Sequence, residues 1–262
     1  MGSEMSDHVE LNAPVARVVR EIFGSVASLA VVGPLREVGV EAAFARLDEI
    51  DARLSPYRID SEVSRIRDGA LPLAEAHPET RWILAVCEAL REESGGIFDA
   101  RIAGIDGRLD PSGYVKGWAI GEAHRILIAA GMENCALGIG GDVAASGEGP
   151  GGAGWVVGVA NPRDGATALA SVRLRDAAIA TSGDAERPGH LRAPSGGVAR
   201  SPFASFTVIG PAIDRVDALA TIGWLEGDAG IERVDAEEGY GALAVYHDGR
   251  AVATAAFRAI AN

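Results

Sequence analysis

The hydrophobic period of this 262-residue chain changes at Cys135. Between Val38 and Gly131 the apolar residues recur at helical spacing. VGVEAAFARLDEIDARLS carries a stripe at Val40, Phe44, Leu47 and Leu54. PETRWILAVCEALREESGG opens on Pro78 and stops at Gly95 and Gly96, as helix ends prefer, and KGWAIGEAHRILIAAG predicts a third helix from near Lys116 to Gly131. From Cys135 onward, CALGIGGDVAASG, WVVGVANP, ALASVRLRDAAIATSG and FASFTVIGP are short alternating or β-branched runs separated by Gly, Pro, Asn and Asp. A block of helices followed by a block of strands predicts an α+β fold, a mixed and mostly antiparallel sheet packed with helices.

The remaining segments fill in around that division. Residues 1–14 are polar and predict a flexible N-terminal segment, with residues 15–262 forming one domain, since no linker or repeat divides them. VARVVREIFGSVASLAVVG reads as a strand pair or one long bent strand broken at Gly24. Ser61 and Ser64 can start a short helix inside a hydroxyl-rich loop. A helix over Asp214–Leu225, a polar helix near Asp228–Glu237 and a terminal hairpin, LAVYHDGRAVATAAF, turning at Asp248 and Gly249, close the chain.

Charge removes whole classes of partner. The formal net charge is -13, which repels nucleic-acid phosphates and anionic membrane surfaces. An anionic ligand here needs a cation or local backbone donors. No apolar run reaches membrane-spanning length and no signal peptide opens the sequence, so a cytoplasmic location is expected. Cys87 and Cys135 lack metal or redox spacing and read as reduced packing residues.

Several segments bear chemistry. On a helix, Asp217 and Thr221 stand four apart on one face, so a carboxylate and a hydroxyl can share a hard cation such as Mg2+. An isolated pair of this kind more often has the threonine bonding its own helix and the aspartate facing water. GIGGDVAASG offers a backbone that a ligand can approach, or an ordinary glycine turn, and it is no dinucleotide fingerprint. The hydroxyls and amides of TSGD at Thr181 can cradle a phosphate or simply make a turn. Lys116 is the chain's one lysine, and at the start of a helix its charge would add to a dipole that already favours anions. His190 is the one histidine beside a hydroxyl-rich loop.

In order along the chain, FGS, LSPYRIDSEVSRI, GGIFDA, LDPSGYVKGWAI, GIGGDVAASG, IATSGDAER, GHLRAPSGG and VDALATIGW resemble the ApbE family of Mg2+-dependent FAD:protein FMN transferases, over about Phe23 to Trp224. The resemblance implies a T-fold-related α+β architecture and an activity that attaches FMN from FAD to a threonine of an acceptor flavoprotein, releasing AMP. With water as nucleophile the same site would be an FAD pyrophosphatase, and without turnover a non-catalytic FAD-binding protein. It implies FAD contacts at Phe23, in a segment where the family's Met-Gly-Thr becomes Phe23-Gly24-Ser25, and at Tyr57, Ile97, Phe98, Asp99, Asp110, Lys116, Thr181 and Leu191. It further implies metal ligation by the Gly113 carbonyl and the Asp217 and Thr221 side chains, with Asp214 nearby, and His190 as general base. The family's His-Ile-x-Asp-Pro becomes His190-Leu191-Arg192-Ala193-Pro194, which alters the acceptor side. Asp164-Gly165-Ala166-Thr167 resembles the short Asp/Ser-Gly-Ala-Thr motif of the family's acceptors, although turn loops are built from the same residues.

Overall fold

The computed structural model describes residues 15–103, 108–183 and 199–261. The expected 1–14 segment, His190, Leu191 and Ala193 lie outside the described residues. Among those described, eight strands form one antiparallel sheet in the order β1 (Val15–Ile22), β2 (Ser25–Val32), β3 (Cys135–Ile139), β4 (Asp142–Ser146), β7 (Ala177–Gly183), β8 (Phe203–Gly210), β9 (Gly241–Tyr246) and β10 (Ala251–Ala253). β5 (Trp155–Ala160) and β6 (Ala168–Leu174) pair with each other as a separate hairpin. The expected mixed α+β architecture is therefore present.

One face of the large sheet packs on helices α1 (Glu37–Leu54), α4 (Ser112–Ala129) and α5 (Ile213–Glu226), burying Leu29, Val31, Phe44, Leu47, Ile120, Leu127, Phe206, Val208 and Trp224. Helices α2 (Glu62–Arg67), α3 (Pro78–Glu93) and α6 (Asp228–Asp235) flank that layer. The opposite face packs on the β5–β6 hairpin and on α7 (Ala255–Ile260) through Trp155, Val172, Leu174, Ile209, Val245 and Phe257. No helix among the described residues is long and apolar enough to cross a membrane.

Local chemistry explains the element ends. β1 and β2 pair from Ile22 to Ser25, leaving a two-residue turn of Phe23 (φ 54) and Gly24 (φ 64). Two positive φ values are what a twisted hairpin demands, but a bulky aromatic is an uncommon occupant of the first position. Gly140 (φ 56) and Gly141 (φ 91) make the corresponding turn between β3 and β4. Ser61 caps α2 by accepting the Ser64 amide at 3.0 Å, as the sequence suggested.

Three expectations need correction. The third helix begins at Ser112, not near Lys116, because Asp110 Oδ1 accepts the Ser112 amide at 2.8 Å and Pro111 tolerates the first turn. Lys116 thus lies in the second turn of α4, away from the dipole's positive end. ALASVRLRDAAIATSG is two strands in two sheets, divided at Asp176, whose φ of 49 turns the chain. The terminal hairpin ends at Ala253, and Thr254 starts α7 by accepting the Phe257 amide.

A candidate ligand site at the end of the sheet

The turn of β3–β4, the end of β7 and the start of β8 meet at one end of the large sheet, where a cavity of about 630 Å³ opens. That volume suits a cofactor-sized ligand. Of the residues singled out in the sequence, Phe23, Tyr57, Ile97, Phe98, Asp99 and Asp110 line it, as do Gly113, Lys116, Thr181, Asp217 and Thr221. They come from six separated stretches of chain, brought together by the packing of α4 and α5 against the sheet. Phe98 is buried against Gly113, whereas Tyr57 is 64% exposed at the rim. Asp99 is paired with Arg101 at 2.6 Å, which holds its carboxyl below the usual range.

The polar centre is a set of carboxylates around the one lysine. Lys116 Nζ lies 2.6 Å from Asp142 Oδ2 and 3.9 Å from Asp217 Oδ1. Asp142 Oδ1 also accepts the Thr181 amide at 3.1 Å, tying β4 to β7. Asp217 Oδ2 accepts the Gly117 amide at 2.8 Å. Both carboxylates are almost fully buried, Asp142 at 1% and Asp217 at 4%. Burial is the largest influence on each and raises both above the ordinary carboxyl value, against the pull of the Lys116 ammonium; Asp217, with Asp142 and Asp214 nearby, is pushed up to about 7. Asp214 itself accepts the Tyr114 hydroxyl at 3.2 Å.

Asp142 is the residue that sequence reasoning missed. Its signal is the aspartate ending GIGGD, a segment read from the sequence for its approachable backbone or as a glycine turn, with no role given to the carboxylate. Gly117 was missed too, and its signal is the Gly113, Gly117, Gly121 spacing that runs along one face of α4. A Cβ at Gly117 would stand 2.6 Å from Asp217 Cβ and 2.7 Å from the Ile213 carbonyl oxygen, so only glycine lets α5 approach this closely. Gly117→Ala is expected to cost about 1–3 kcal/mol of stability through overpacking. It also moves the Asp217 carboxylate, so thermal unfolding and ligand titration should both register the change.

Whether a hard divalent cation suits the site depends on its oxygen donors. Among the described residues no group of three or more His, Cys, Asp or Glu side chains could hold a metal. What converges instead is one buried carboxylate, Asp217, the Thr221 hydroxyl, which is 3.2 Å from the Ser182 hydroxyl, and the backbone of Gly113. In a helix the Gly113 carbonyl points toward the amide of Gly117, the amide that also meets Asp217. A few protein oxygens completed by ligand phosphates is the manner in which Mg2+ is usually held, so the donor set fits.

An antiparallel α+β fold with a cavity at the end of its sheet defines a small-ligand site lined by the buried Asp217 carboxylate and by Lys116, which pairs with Asp142. The ApbE family model matches residues 23–107 and 102–244, and the chain belongs to that family. It is similar in structure to the flavin transferase ApbE from Vibrio cholerae, with TM-score 0.82 and 20% identity over 95% of this chain and 99% of that one. It is likewise similar to the apo form of the Pseudomonas stutzeri flavinyl transferase ApbE, with TM-score 0.80 and 25% identity over 94% and 96% of the two chains. The ApbE protein from Thermotoga maritima gives TM-score 0.83 and 22% identity over 94% and 99%. No curated protein sequence matches this chain.

Proposed function

We propose that this protein is a Mg2+-dependent FAD:protein FMN transferase, moving FMN from FAD to a threonine of an acceptor flavoprotein with release of AMP. The observation that carries the reading is the convergence on one cavity of Lys116, Asp217, Thr221 and the Gly113 backbone with the aromatic residues Phe23, Tyr57 and Phe98. The aromatic walls suit the flavin and adenine rings, and the polar centre suits the pyrophosphate between them. In the reaction the acceptor hydroxyl oxygen forms a bond to the phosphorus on the FMN side. The bond from that phosphorus to the AMP oxygen breaks, its electrons leave with AMP, and the hydroxyl proton is taken up by a base.

This chain's residues divide the work. Asp217, Thr221 and the Gly113 carbonyl would hold Mg2+, which when bound neutralises pyrophosphate charge and makes AMP a better leaving group. Lys116, held by Asp142, stabilises negative charge as it develops on the phosphoryl oxygens. His190 is the proposed base, since imidazole is the side chain best suited to accept and release a proton near neutral pH.

The test is to incubate the purified chain with FAD and Mg2+, with and without a flavin-acceptor domain carrying the threonine motif, and to quantify AMP, free FMN and protein-bound flavin. AMP matched by covalent flavin on the acceptor is the expected result. AMP with free FMN would instead make the protein an FAD pyrophosphatase, and bound FAD without AMP would make it a binding protein.

The same incubation addresses the chain's own Asp164-Gly165-Ala166-Thr167 segment. Asp164 and Gly165 line the cavity, but Asp164 Oδ1 accepts the Ala166 amide, the Thr167 amide and the Thr167 hydroxyl at 2.9–3.1 Å. That turn accounts for the residues present. The intact mass of the chain is expected to stay unchanged, and a gain of one FMN unit at Thr167 would make this loop an internal acceptor.

A further inference from the structure

The sheet face that carries the β5–β6 hairpin and α7 is only partly covered. The β5–β6 hairpin lies over its middle, and β1, β2 and β3 extend beyond it. On the uncovered part, cross-strand neighbours form two rows, Arg17–Ala30–Ala136 and Val19–Ser28–Gly138–Val143. Small side chains on β2 and β3 sit between larger ones on β1 and β4, so the floor is concave. With β5 as its wall, it forms an open trough of about 440 Å³. Two of the valines that line it are unusually bare, Val19 at 64% and Val156 at 60% exposed.

Two further features say what kind of molecule fits. Among the described residues β5 pairs only with β6, so its other backbone edge has no strand partner. Its sequence, Trp155-Val-Val-Gly-Val-Ala160, contains none of the charges or prolines that normally blunt an open edge. Such an edge is a template for an added strand, and its six residues offer roughly 20 Å of extended chain. The trough also adjoins the ligand cavity, since Gly158 lines both. Val26, next along β2 on the floor side, is 53% exposed and is followed back along the strand by Ser25, which lines the cavity.

We infer that the trough is the docking channel for the acceptor protein, which lays an extended segment beside β5 and delivers its hydroxyl past Gly158 into the cavity. This rests on the transferase reading and deepens it. The occupant is a polypeptide with small or β-branched side chains toward the floor, which fit the hollow that Ser28, Ala30, Ala136 and Gly138 leave between larger neighbours. Among the described residues lining it, a free nucleotide would find no charged group other than Arg17.

Ser28→Trp fills the floor and Val156→Lys charges the wall, both at exposed positions outside the cavity. Each variant is expected to raise the KM for a purified acceptor domain by about tenfold or more. Affinity for FAD, read by quenching of flavin fluorescence, and AMP release without acceptor should match the unsubstituted chain. Unchanged acceptor kinetics in both variants would overturn the channel while leaving the transferase reading intact. A parallel loss of FAD affinity would also overturn it, by making the trough an extension of the ligand cavity. An unsubstituted chain that sediments as a dimer, and as a monomer after Ser28→Trp, would assign the face to a second copy instead. If the unsubstituted chain transfers flavin to no acceptor, the transferase reading itself falls.

Discussion

Asp217→Ala is expected to abolish FMN transfer, with a loss on the order of 10³-fold or more, and to remove the dependence on Mg2+. The size follows from Asp217 being the one carboxylate among the three proposed metal donors, so that without it only a hydroxyl and a carbonyl remain. Measuring AMP release against Mg2+ concentration checks this, and a variant that keeps saturable Mg2+ dependence would move the metal elsewhere.

The same residue makes an opposite prediction for stability. Burial pushes the Asp217 carboxyl up to about 7, so the folded chain holds a proton there more tightly than the unfolded chain does. Stability from this group is present at low pH and is lost as pH rises from the ordinary carboxyl value through about 7. Asp217→Asn keeps an acceptor for the Gly117 amide and removes the titration. In EDTA, the variant should match the parent near pH 4 and become progressively more stable than it as pH rises toward the raised pKa. Urea unfolding at several pH values measures the gap, and a constant gap would mean that Asp217 does not titrate as burial dictates.

Asp142→Asn is expected to lower transfer by about 10- to 100-fold, the range in which a partner that orients a reactive group usually acts. Asparagine still accepts the Thr181 amide, so the β4–β7 connection survives, but Lys116 loses the carboxylate 2.6 Å from its ammonium. The released lysine can swing toward Asp217 and compete with the cation, so the Mg2+ requirement should rise along with the fall in kcat. Asp142→Ala adds an unbonded Thr181 amide, costing about 1–3 kcal/mol in stability. A purely structural Asp142 would give a stability loss in both variants with no change in Mg2+ requirement.

The parts of this protein legible in its sequence are those fixed by local rules. Helical stripes at Val40, Phe44 and Leu47, the Pro78 and Gly95 punctuation and the Ser61 cap each act within a few residues, and the structure contains those elements. The start of α4 at Ser112 is not visible in the apolar period, because it depends on the Asp110 side chain, just ahead of Pro111, turning to accept the Ser112 amide. The residues around the cavity were legible only as an ordered set of motifs. Asp217 alone resembles a solvated helix aspartate, and only the fold makes it a buried one. Asp142 and Gly117 escaped because their importance lies in pairings 26 and 100 positions away, with Lys116 and Asp217 respectively. No local pattern encodes such distances.

The turn between β1 and β2 shows a conflict between two demands at a single residue. A hairpin selected for its own folding would place asparagine before Gly24, since a left-handed backbone costs other residues roughly 1–2 kcal/mol. This chain keeps a phenylalanine at φ 54, and that side chain reaches the cavity wall. Sequence optimisation aimed at thermal resistance would therefore erase Phe23 early, trading a ring on the ligand's wall for a more relaxed turn.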